Sequence, residues 1–95
     1  MFENRKFITR GVLCNIPVEL ADLMWHMVLT MEAEAKDYLQ VFKLTKTPTG
    51  QHIVHMQEQP LYRYELDVPC TDAVDEKVYV IDDGTHSTML LASEY

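Results

Sequence analysis

The stretch Lys77–Leu91, K-V-Y-V-I-D-D-G-T-H-S-T-M-L-L, decides the fold. Its first part, Val78-Tyr79-Val80-Ile81, is strongly β-prone and runs into an acidic turn at Asp82-Asp83-Gly84. A second apolar run, Met89-Leu90-Leu91, leaves that turn. Asp-Gly between two such runs predicts a hairpin, because glycine accepts the positive φ that a tight turn demands. Strand alternation then places Val78, Val80, Met89 and Leu91 on one face and Tyr79, Ile81 and Leu90 on the other. Both faces are apolar. A single helical layer covers only one of them, so the hairpin predicts a further cover for the other, most economically a second copy of the chain.

The same turn gathers Asp82, Asp83, His86 and Ser87, a candidate polar cluster with the ingredients of nucleophilic chemistry. Triads are defined by geometry, and residues so close in sequence rarely supply an oriented nucleophile, base and orienter together. No G-x-S-x-G elbow presents the serine. Carboxylates and glycine are also what a tight turn requires for its own sake, and that structural reading is the favoured one.

Working outward, Phe7–Cys14 reads as a first strand, with Gly11 marking a bulge or a close backbone approach. Pro17 then opens a helix expected to run to about Lys36. At roughly 100° per residue, Leu20, Leu23, Met24, Met27, Met31 and Ala35 form its core side. Val18, Trp25 and Leu29 fall on a shoulder beyond that side, a candidate interaction surface. Tyr38–Thr45 and Gln51–Gln57 read as strands either side of a Pro-Gly turn, and Leu61–Val68 alternates as a further, half-wet strand. Tyr62 and Tyr64 are expected in its core. The fold class is therefore α+β: a single two-layer domain over residues 1–95, with one long helix on a five- to six-stranded, mainly antiparallel sheet.

Composition narrows the functions. Fifteen acids against eight basic residues give a net charge of −7, which opposes the broad cationic patch that nucleic-acid binding needs. No window approaches the ~20 apolar residues of a membrane span, and Met1–Lys6 does not lead into a signal peptide. A cytoplasmic protein is expected, with Cys14 and Cys70 as semi-buried thiols. His52 and His55, three apart on a strand, face opposite sides and cannot grip one ion without a bulge. No metal ligand set, cofactor fingerprint or catalytic residue is assigned.

Several blocks together carry a resemblance: M-F-E-N-R-K-F-I-T-R-G at Met1–Gly11, I-P-x-E-L at Ile16–Leu20, Trp25, D-Y-L-Q-V-F at Asp37–Phe42, Q-H-I-V-H-M-Q-E-Q-P at Gln51–Pro60, and V-I-D-D-G-T-H-S-T-M-L-L-A at Val80–Ala92. The chain resembles the bacterial domain-of-unknown-function family 960 of staphylococci, streptococci and their Gram-positive relatives. The resemblance implies a cytoplasmic protein without an assigned activity, and it brings no catalytic residues to carry over. The expected function is binding or regulation through protein–protein contacts, as a homodimer or with another protein. One alternative is a small metal-assisted or hydrolase-like enzyme using His52, His55, Asp82, Asp83 and His86. Another is an acidic inhibitor that mimics nucleic acid.

Overall fold

The computed structural model describes residues Met1–Tyr95. Its elements follow in the order β1 (Arg5–Ile8), α1 (Arg10–Asn15), α2 (Val18–Thr30), β2 (Leu39–Thr47), β3 (Gly50–Gln57), β4 (Tyr62–Val68), β5 (Glu76–Asp82) and β6 (His86–Leu91), ending in a 3₁₀ turn at Ala92–Glu94. The hairpin forms as expected, with Val78 opposite Leu91 and Val80 opposite Met89. It occupies one half of a six-stranded sheet of order β1-β6-β5-β2-β3-β4.

The expected architecture is corrected in two places. The sheet is mixed rather than mainly antiparallel, because β1 pairs in parallel with β6. There are also two helices in place of one long one. The strand expected over Phe7–Cys14 stops at Ile8, where Thr9 turns the chain into α1. The Thr9 hydroxyl accepts a hydrogen bond from Val12 N and donates one to Glu94 Oε1, satisfying a free donor at the helix start. Gly11 is therefore no bulge. It sits in the first turn of α1, where a Cβ would come within 2.6 Å of the Glu94 carboxylate.

Helix α2 ends at Thr30 rather than near Lys36, and Met31 already has extended backbone. The Lys36 ammonium donates to Leu29 O, while the carbonyl of Ala35 accepts from Gln57 Nε2. The segment after the helix is thus drawn onto the sheet as a loop, and Ala35 is exposed rather than part of the core side.

Both helices lie over the face that carries Val78, Val80, Met89 and Leu91. Phe42, Leu44 and Ile53 continue that face across β2 and β3, and Leu20, Met24, Met27 and Val28 of α2 pack onto it. Phe2 completes the core from the N-terminal segment. It is fully buried, with φ of 71°, a left-handed conformation rare for a residue with a Cβ.

Candidate functional site

The hairpin cluster separates into two structural units. Asp82 is buried and accepts hydrogen bonds from Phe2 N at 2.8 Å, Gly84 N at 2.8 Å and Asn4 Nδ2 at 3.1 Å. Burial pushes its carboxyl upward, but these donors outweigh it and hold the carboxyl below its ordinary range. Ser87 is fully buried, and its hydroxyl donates to Asn4 Oδ1 at 2.5 Å. Asp83 belongs to the turn: its Oδ1 accepts from Thr85 N, Thr85 Oγ1 and His86 N, and its Oδ2 lies 3.2 Å from His86 Nε2. Those donors, led by Thr85 N, lower its carboxyl to about 2. Asp82 and Ser87 thus anchor the N-terminal segment, whereas Asp83 and His86 close the turn. The Ser87 hydroxyl is hydrogen-bonded to the Asn4 amide, not to a carboxylate or an imidazole.

The other enzyme candidates are likewise kept apart. His52 projects from the face opposite the helices, where Nδ1 meets Asp67 Oδ1 at 2.8 Å and Nε2 meets Glu65 Oε1 at 3.0 Å. The two carboxylates, Asp67 first, raise its pKa. His55 lies on the helix side and is completely buried. No three His, Cys, Asp or Glu side chains converge in a metal-binding arrangement. Cys14 is exposed rather than semi-buried; Cys70 is half-buried, and both are free thiols.

On the α2 shoulder, Val18 and Leu29 are exposed, whereas Trp25 is half-buried against the core with the Lys6 ammonium 5.9 Å from its ring centre. Trp25 is thus partly used within the chain. Tyr64 leaves the expected core position and is exposed, because β4 is an edge strand and α2 does not extend over it.

Two surfaces remain. The first is the sheet face opposite the helices. Cross-strand register sets Leu90, Tyr79, Val41 and Met56 in one row over β6, β5, β2 and β3. Phe7, Thr88, Ile81 and Leu39 form the adjacent row over β1, β6, β5 and β2. Phe7 is exposed and the other seven are half-buried. On the far side of the first row, Lys77 and Lys43 stand directly opposite each other, and neither has an ion-pair partner within the chain.

The second surface is a groove of about 600 Å³ between the end of α2 and strands β3 and β4. Met27, Met31 and Leu66 form apolar walls, Tyr62 and Tyr64 stand on the strand side, and His55 contributes to the floor. A chain of amides fixes the state of that histidine. Gln57 Nε2 donates to the carbonyls of Ala35 and Pro60, so its Oε1 is the acceptor for Asp37 N and Gln40 Nε2. Gln40 Nε2 also donates to Asp37 O, which turns Gln40 Oε1 toward His55 Nε2 at 2.7 Å. His55 must donate from Nε2, leaving Nδ1 as a bare lone pair. That atom is buried without a hydrogen-bond partner, and burial lowers the imidazole pKa to about 4. The ring stacks on Phe42 at 4.3 Å between centroids, and Tyr62 approaches it edge-on at 5.3 Å.

Sequence reading missed this network, although a signal for it exists. Gln51, Ile53, His55 and Gln57 share one face of β3, so the two glutamines were destined for the side that Ile53 buries.

The protein is thus an α+β domain with its helices on one side of a mixed sheet, an apolar sheet face opposite them and a histidine-floored groove beside α2. The family model of staphylococcal proteins of unknown function (DUF960) matches residues 5–94, and the chain belongs to that family. A crystal structure of a protein of unknown function from Enterococcus faecalis has the same fold, with a TM-score of 0.83 over 98% of this chain and 92% of that one, at 21% identity. No curated protein matches the sequence. No helix is long and apolar enough to cross a membrane.

Proposed function

We propose that the protein acts by binding rather than catalysis, as a cytoplasmic homodimer joined through the sheet face opposite the helices. The observation that carries this reading is the pair of adjoining apolar rows, Leu90-Tyr79-Val41-Met56 and Phe7-Thr88-Ile81-Leu39, on a face that neither α1 nor α2 covers and that meets only the exposed Tyr95, edge-on to Tyr79.

Size and charge both favour a second copy as the occupant. Five strands at ~4.8 Å spacing by about six residues at ~3.3 Å present a face near 500 Å² in projection, so two copies bury on the order of 1,000 Å² or more, the lower range of specific interfaces. A two-fold axis lying across the strands, between the two rows, sets Ile81 over Tyr79 and Leu39 over Val41 of the second copy. It also carries Lys77 toward the Asp83 end of the opposing β5, placing an unpaired cation near a carboxylate. Like charges directly opposite on neighbouring strands are unfavourable, and such a contact relieves the Lys43–Lys77 pair. The chain exposes 5,766 Å², close to the ~5,700 Å² expected of a folded monomer of its mass, so the association is reversible rather than obligate.

Sedimentation equilibrium tests this. The wild type is expected to be dimeric at tens of micromolar, and Val41→Lys monomeric with unchanged circular dichroism. Lys43→Glu combined with Lys77→Glu should weaken the dimer, since the glutamates then repel the Asp83 turn. A wild type that stays monomeric up to several hundred micromolar overturns the proposal, as does a Val41→Lys variant that dimerises as tightly as the wild type.

A further inference from the structure

We propose that the groove between α2 and β4 is a binding site for a small uncharged aromatic molecule that donates one hydrogen bond, as a phenol O–H or an indole N–H does, to Nδ1 of His55. This site lies on the helix side of the sheet and stands or falls separately from the dimer face.

Three observations select this ligand class. The first is the orphaned acceptor. Gln57 and Gln40 commit their amide protons to carbonyls, so His55 is held with its proton on Nε2 and an unpaired Nδ1. A buried polar atom without a partner is rare in native proteins and is costly unless something supplies the missing bond. Nδ1 can only accept while the ring is neutral, so the ligand must bring the proton.

The second is the lining. Methionine side chains at Met27 and Met31, with Leu66 and Tyr62, suit a flat polarisable body, since thioethers pack favourably against aromatic edges. A groove of about 600 Å³ falls within the size range of small-molecule sites. The third is charge. The lining holds Glu32 and no lysine or arginine, its one basic side chain besides His55 being the exposed His26, so carboxylates and phosphates find no permanent counter-charge. Nδ1 is shielded from solvent, so a lining side chain must move to admit a ligand, and Tyr62, half-buried and edge-on to the imidazole, is the candidate. Rotamer changes of this kind are common when ligands bind.

The experiment compares donors with their capped isosteres on the full chain. Phenol is paired with anisole and indole with 1-methylindole, and binding is followed by chemical-shift titration. The imidazole nitrogens are ¹⁵N-labelled, so that Nδ1 of His55 reports directly on whether it accepts a bond. At least one donor should bind about tenfold more tightly than its capped partner and shift the Nδ1 resonance toward its hydrogen-bonded position. In His55→Phe, which keeps a ring over Phe42, that preference should disappear. Should the variant fail to fold, the Nδ1 resonance of the wild type decides alone. Equal binding of donors and capped partners, no binding by either donor at millimolar concentration, or an Nδ1 resonance that never moves overturns the assignment.

Discussion

Replacing Asp82 by alanine should release the N-terminal segment, and the loss can be worked from its contacts. Asp82 accepts from Phe2 N, Gly84 N and Asn4 Nδ2, and Phe2 is completely buried beneath these bonds. Leaving a buried donor unpaired costs about 1–3 kcal/mol. Truncating a buried phenylalanine costs about 3–5 kcal/mol. Phe2 also holds φ at 71°, which a residue with a Cβ disfavours by about 1–2 kcal/mol, so the segment has no local reason to stay once Asp82 is gone.

If Asp82 is what pins the segment, Asp82→Ala should cost nearly as much as Phe2→Ala. The double variant should then cost little more than either, giving a coupling close to one single loss, about 3 kcal/mol or more. Urea denaturation at pH 7, followed by Trp25 fluorescence, measures all four corners of the cycle. The carboxyl is held below its ordinary value of 3.8, so its contribution is complete above that pH and is lost as the pH falls through the folded-state value. Wild-type and Asp82→Ala stabilities should therefore converge in acid. Single losses that add within about 0.5 kcal/mol would refute the coupling, because Phe2 would then be held by packing alone.

Two further outcomes follow from the same fold. His55 takes up its proton near 6.5 when unfolded but only at about 4 in the folded chain, so acid destabilises the native state by about 3 kcal/mol across that interval. His55→Phe should flatten the urea-midpoint profile between pH 6.5 and about 5, above the range where carboxylates protonate; an unchanged slope would place the acid sensitivity elsewhere. Gly50→Ala should cost at least about 2 kcal/mol, because the new Cβ would lie 2.2 Å from the Val68 carbonyl oxygen at a φ of 153°. A loss under about 1 kcal/mol in the same assay would mean that the end of β4 yields freely.

The hairpin, β2, β3, β4 and the start of α2 were legible in the sequence because their signals are local: alternation, Asp-Gly, Pro-Gly and Pro at a helix start. What failed was local pattern overruled by distant partners. Phe7–Cys14 is rich in β-branched and aromatic residues, yet Thr9 caps a helix whose start is held by Glu94, eighty-five positions away. The helix beyond Thr30 looked continuous, but the carbonyl of Ala35 is taken by Gln57. Parallel pairing of β1 with β6 likewise depends on a crossover that no short window contains. The bare sheet face was foreseeable, since apolar residues on both sides of β5 and β6 declare it. The groove was not, because it needs a buried histidine, two glutamines and the early end of α2 to coincide.

The chain's acidity is also best understood through its fold. Of the fifteen acids, Asp37, Asp75, Asp82, Asp83 and Glu94 accept backbone N–H groups at turns, strand ends and helix starts. Glu65 and Asp67 are engaged with His52. A nucleic-acid mimic needs carboxylates ranged free along one face, whereas these seven of the fifteen are distributed over separate elements and occupied in holding them. Four of the eight basic residues, Arg5, Lys43, Arg63 and Lys77, fall by strand register on the face of the sheet opposite the helices. Glu65 and Asp67 share that face, with Glu65 paired to Arg63, so the positive charge left without an ion-pair partner there belongs to Arg5, Lys43 and Lys77. In the proposed dimer, these three cations would favour an acidic edge such as the Asp83 end of a second copy on this face over the shoulder of α2.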